Sequence, residues 1–100
     1  MIDKIKKWFT SIFFKHKYHR NTYAVTTGAY AGEVFIFIKQ EGDIMHFLSI
    51  PENINRSIPV AKFDFGIQHS ILDFVERIPS KIYKTTIKQF QKNESSNRRE

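Results

Sequence analysis

Residues 33–40, EVFIFIKQ, constrain this chain more than any other stretch. Side chains alternate across a β-strand, so Val34, Ile36 and Ile38 fall on one face and Phe35 and Phe37 on the other. Both faces are apolar, and a strand of that kind needs cover above and below it. Glu41, Gly42 and Asp43 follow as a hairpin turn, with Gly42 free to take a positive φ. Residues 43–50, DIMHFLSI, return as the second strand, and Pro51 ends it because proline offers no N–H to a ladder.

The flanking segments supply the remaining elements. Residues 23–27 read as an earlier strand, and Gly28 and Gly32 bracket the turn after it. Residues 51–58, PENINRSI, read as a polar loop, residues 59–65 as a short strand, and Gly66 as a turn, since the period changes just after it. Ile67, Ile71, Phe74, Val75 and Ile78 recur at helical spacing and predict a helix over 67–78. Pro79 cannot extend that helix but suits the first turn of another, over 80–92, with Ile82, Tyr83, Thr86, Ile87 and Phe90 on its apolar side. At the N-terminus Ile2, Ile5, Trp8, Phe9, Ile12 and Phe13 form a stripe that predicts an amphipathic helix over 3–15, with Asp3 as its N-cap. The expected class is α+β: an N-terminal amphipathic helix, a three- to four-stranded antiparallel meander compatible with an SH3-like partial barrel, and two C-terminal helices. Residues 1–20 form the basic helix and linker, 21–92 a single small domain, and 93–100, NESSNRRE, a disordered tail without an apolar residue.

One hundred residues leave room for one compact domain, and ten phenylalanines can fill a core that aliphatic residues alone would leave thin. Fourteen isoleucines against two leucines, and eleven lysines against five arginines, point to an A/T-rich genome rather than to a physical requirement. The absence of cysteine removes disulfides, thiolate chemistry and cysteine zinc sites together. The longest unbroken apolar run, residues 34–38, is far short of the ~20 residues a membrane-spanning helix needs. The N-terminal apolar stretch runs into Lys15, His16 and Lys17 with no small-residue cleavage site, so cytoplasm is the expected location.

Catalytic and metal constellations are missing from the sequence, and no enzyme activity or cofactor is expected. There is no phosphate-binding glycine loop: residues 28–32, GAYAG, lack the following Lys-Ser/Thr. His16 and His19 have a chelating spacing only if their linker is helical, and no third ligand lies nearby, so no metal site is assigned. His46 shares a strand face with Ile44 and Leu48 and reads as a hydrogen-bonded core histidine. His69 and Asp73, four apart on the expected helix, read as a surface pair that supports it.

Charge is distributed in blocks: +5 over residues 1–20, −3 over 21–80 and +4 over 81–92. Lys15, Lys17, Tyr18 and Arg20 near one end, and Lys81, Lys84 and Lys88 near the other, are the candidate nucleic-acid contacts. Lysines three and four apart share a helical side and neutralise phosphates, while tyrosines stack on unpaired bases. Lysine reads charge and position, so backbone contact without base specificity is implied. Ile5, Trp8, Phe9, Ile12 and Phe13 form a second candidate surface, with lysines placed to meet anionic headgroups; the same stripe also suits docking on the sheet.

The stretches TGAYAGEVFIFIKQ, HFLSIPENINRSIPVAKFDFG and FVERIPSKIYK resemble small proteins of tailed phages of marine bacteria that have no assigned function. The resemblance spans roughly two-thirds of the chain and implies a phage accessory protein, with no activity and no functional residue attached. The leading expectation is a small non-enzymatic basic protein that grips nucleic-acid backbone through its basic termini. A module binding a host protein and a peripheral membrane protein anchored by residues 2–14 are the alternatives.

Overall fold

A computed structural model describes residues 16–98. In chain order these form β1 (Asn21–Val25), β2 (Val34–Glu41), β3 (Ile44–Ile50), β4 (Ile54–Pro59), α1 (Val60–Gln68), β5 (Leu72–Arg77) and α2 (Ser80–Arg98). The strands make one antiparallel sheet in the order β4-β3-β2-β1-β5. Strand β2 is central, which is why both of its faces are apolar. Phe35 and Phe37 join the layer beneath α1, and Ile36 joins the layer beneath α2. Gly42 occupies the β2–β3 turn with φ +60°, the left-handed region its position requires.

The α1 layer is aromatic. Phe63, fully buried, is the anchor of α1, and its ring lies 5.1 Å from Tyr23 and 5.8 Å from Phe47. Gly66, one turn along, lets the helix approach β5: a Cβ there would stand 3.0 Å from Leu72 Cδ1. On the other face Ile36, Ile78 and Tyr83 form a smaller cluster, with Ile50 and Ile87 packed against it.

Two irregularities in the sheet are closed by hydroxyls. The β2–β3 register shifts between Phe37 and Lys39, which leaves Ile38 as an extra residue, and the Tyr83 hydroxyl donates to the Ile38 carbonyl at 2.8 Å. The β1–β5 register shifts between Asn21 and Tyr23. There the Thr22 hydroxyl donates to the Glu76 carbonyl at 2.8 Å and accepts from the Glu76 N–H at 3.2 Å.

This architecture corrects the expected class. The described residues hold a five-stranded open sheet and two helices, in place of a three- to four-stranded meander or partial barrel followed by two helices. The polar loop expected at 51–58 contains β4, an edge strand whose Asn55 and Arg56 side chains bond to protein groups. The strand expected at 59–65 is helix α1. Of its two phenylalanines, Phe63 is buried and Phe65 is 55% exposed. The helix expected at 67–78 is replaced by β5, because pairing along β1 satisfies its backbone and overrides a local helical period. Gly66 serves close packing rather than a turn. Helix α2 runs beyond 92 to Arg98, and Asn93 is tied down by bonds from its side-chain amide to the Asn53 carbonyl and to Asn55 Oδ1. The helix expected over 3–15, with Ile5, Trp8, Phe9, Ile12, Phe13 and Lys15, lies outside the described residues.

Candidate functional site

Helix α2 sorts its side chains sharply. Tyr83, Thr86 and Phe90 are buried against the sheet, whereas Lys81, Lys84, Lys88 and Lys92 are all exposed. The row spans roughly 16 Å at the 1.5 Å rise of a helix. It is unfavourable for the helix itself. Lys84, Lys88 and Lys92 repel one another at i, i+4 spacing, by roughly 0.2–0.5 kcal/mol a pair. Lys81 stands in the first turn, where the helix dipole is positive and no acidic residue offsets it. None of the four enters an ion pair among the described residues.

Arg20 brings the other basic segment to the start of this helix. Its Nη1 donates to Ser80 Oγ at 2.9 Å, and its carbonyl accepts from the Ile78 N–H at 2.9 Å. Arg20 has φ +65°, and its buried Nε lacks a hydrogen-bond partner among the described residues. The neighbouring His19 ring lies 4.9 Å from that of Tyr83. Burial pushes the Tyr83 phenol up, with the Arg20 charge pulling it partly back.

The other expected contacts are placed elsewhere. The Tyr18 ring is built into the α1 layer, 5.0 Å from Phe63 and 6.2 Å from Phe37, which removes it as a free stacking platform. The Lys17 ammonium lies over that ring at 5.0 Å. Lys17 and Tyr18 therefore sit on the side of the sheet opposite the lysine row; Lys81, Lys84 and Lys88 form one basic face, and Arg20 is bonded to Ser80 where that helix begins. Lys92 extends this face. Lys39, 5.8 Å from the Phe90 ring and paired with Glu41 at 3.2 Å, reaches the same side of the sheet.

The histidines contact neighbouring side chains. His16 packs 4.6 Å from Phe37 and its Nε2 meets Gln40 Oε1 at 2.7 Å. His46 faces Phe90 and bonds Ser57 at 3.0 Å and Glu41 at 3.1 Å. His69 follows α1 and its ring lies 4.1 Å from that of Phe65, tilted by 34°, while Asp73 lies on β5, so the expected pair does not share a helix. No group of three potential metal ligands occurs among the described residues. No helix among them is long and apolar enough to cross a membrane.

A charged network lies on the α1 face. Arg56 donates through Nε and Nη2 to the two Glu33 carboxylate oxygens at 3.2 and 3.0 Å, and the buried Ser49 hydroxyl donates to the same carboxylate. Burial acts to raise the Glu33 carboxyl, but the bonds from Arg56 and Ser49 and the Arg56 charge outweigh it and hold it below its ordinary value. The sequence carried no signal for this network, whose members are brought together only by the sheet.

No protein-family model, curated protein or solved structure matches the chain.

Proposed function

We propose that this is a small basic accessory protein that holds nucleic-acid backbone against the outer face of α2, without reading base sequence. A phage setting is what the resemblance of its sequence implies. The observation that carries the reading is the row of four exposed lysines of α2, none ion-paired among the described residues, with Arg20 bonded at the helix start. Their mutual repulsion costs the helix stability, and a row of phosphates relieves it while releasing condensed counterions. Arginines forked for bidentate contact with guanine are absent from the row, in keeping with backbone contact alone.

Anisotropy titrations of labelled single- and double-stranded DNA and of RNA test this. Binding should weaken steeply between about 50 and 200 mM salt and be the same for scrambled sequences. Lys84→Glu with Lys88→Glu, in a variant that keeps its circular dichroism and melting cooperativity, should lower affinity by roughly tenfold or more near 0.1 M salt. Unchanged affinity in that variant, or binding indifferent to salt, rejects the reading.

A further inference from the structure

The α1 face carries a cleft that the lysine row does not use. About 390 Å3 in volume, it opens between α1, the end of β4 and the β1–β2 connection. Buried Val25 and Leu72 form its apolar base, and the rings of Tyr30 and Phe65, 42% and 55% exposed, stand along it. Among the described residues Lys62 is the one charged member of the lining, and no acidic side chain contributes to it.

Tyr30 is held by the half-buried pair of Arg56 and Glu33. The Arg56 guanidinium lies over its ring at 3.9 Å and is itself fixed by both oxygens of Glu33. A ring clamped in this way loses little further freedom when a ligand packs beside it, so the cleft is preorganised. Its volume lies near the lower end of the roughly 300–1,000 Å3 typical of small-molecule sites. Two half-exposed rings beside an aliphatic base favour an apolar body, and the lone cation favours a negative head.

We infer that this cleft binds an amphipathic organic anion, its apolar body between Tyr30 and Phe65 and its anionic head at Lys62. A flat aromatic anion and a medium-chain carboxylate share this chemistry. The site is independent of the proposed backbone contact, since α2 covers the opposite side of the sheet.

Anilinonaphthalene sulfonate added to the full chain is the first probe. It should show saturable fluorescence enhancement at one site, raise the melting temperature of a cooperative transition, and shift amide resonances around Val25, Tyr30, Phe65 and Leu72. Lys62→Glu should weaken it about three- to tenfold, as expected for loss of a partly exposed charge contact, and Lys84→Glu should leave it unchanged. Naphthoate and decanoate compete as the two sources, and the stronger competitor identifies which body the cleft prefers. Decylamine, with the opposite head charge, should not compete. The inference fails if enhancement does not saturate, if neither anion competes, if Lys62→Glu has no effect, or if the shifts centre on the separate cleft lined by Tyr18, Ile67 and Phe74.

Discussion

The Tyr83 hydroxyl of α2 donates to the Ile38 carbonyl in the bulge of β2 at 2.8 Å. Ile38 has no residue opposite it in the register with β3, and the phenol gives its carbonyl a hydrogen-bond donor. Tyr83→Phe keeps the ring and removes the donor. We expect a loss of about 1–2 kcal/mol in urea unfolding with an unchanged m value. An unaltered midpoint would mean that water satisfies the carbonyl.

Alkaline pH should weaken the fold through the same residue. Burial raises the phenols of Tyr83 and Tyr23 above their ordinary 10.0, opposed in part by Arg20 at the first and by the Asn21 hydrogen bond at the second. The folded state therefore retains protons that the unfolded state releases. This contribution is complete below pH ~10 and is lost as pH rises from there through the folded values. Absorbance at the tyrosinate band, followed beside circular dichroism, should show part of the ionisation arriving only with unfolding.

The acid limb belongs to Glu33. Its lowered carboxyl gives stability that is complete above the ordinary value of 4.5 and lost as pH falls below it through the folded value. Glu33→Gln should cost about 2 kcal/mol at neutral pH, because Arg56 loses a charge partner while only 24% of its side chain is exposed. The gap between variant and wild type should narrow steadily in melts taken below pH ~4. A gap of constant size across that range would show that the charge of Glu33 is not what matters.

At Gly66 two effects oppose each other. Alanine improves helix propensity by about 1 kcal/mol, but its Cβ would stand 3.0 Å from Leu72 Cδ1. Leu72 is buried and has little room to withdraw. Gly66→Ala should therefore yield no net stabilisation in the wild type, and Gly66→Val should cost about 1–3 kcal/mol. In a Leu72→Ala background, which removes both the Cδ atoms and the Cγ that would stand at 3.1 Å, Gly66→Ala should become less harmful. A double-mutant cycle reads the coupling.

Thr22 tests the attachment of the edge strand. Its hydroxyl both donates to and accepts from the backbone of Glu76, and the side chain is buried. Thr22→Val retains the shape and leaves both backbone groups without that partner. We expect a loss of about 1–3 kcal/mol, with faster hydrogen exchange concentrated in β5. Uniform acceleration across the sheet would show instead that β5 does not open separately.

Legibility in the sequence followed the reach of each signal. The β2–β3 hairpin was readable because Phe35, Ile36 and Phe37 alternate and Gly42 marks the turn, all within a few residues. The lysine row was readable because one helix carries it. Strand β4 was not, since an edge strand holding Asn55, Arg56 and Ser57 resembles a polar loop until its partner β3 is known. The exchange of helix and strand between 59 and 78 has a similar cause. Phe63 and Phe65 mimic a strand, Ile71, Phe74 and Val75 mimic a helix, and only the pairing of β5 with β1 settles both. The bond from Arg20 to Ser80 and the network of Glu33, Ser49 and Arg56 join residues far apart in the chain. No spacing rule reaches them.

The place of β1 between β2 and β5 also sets a timetable. Strands β2, β3 and β4 follow one another and zip up through short connections, whereas Val25 meets Leu72 only after all the intervening chain has been gathered in. Until then one side of β1 is an open edge, and the ring of Tyr23 lacks its neighbour Phe74. Substitutions in β5 should accordingly speed unfolding and leave the refolding arm of a chevron nearly unmoved, while those in the β2–β3 hairpin slow refolding. The last strand to join would then be the first to leave, and the lifetime of the native state would be governed at the β1–β5 seam.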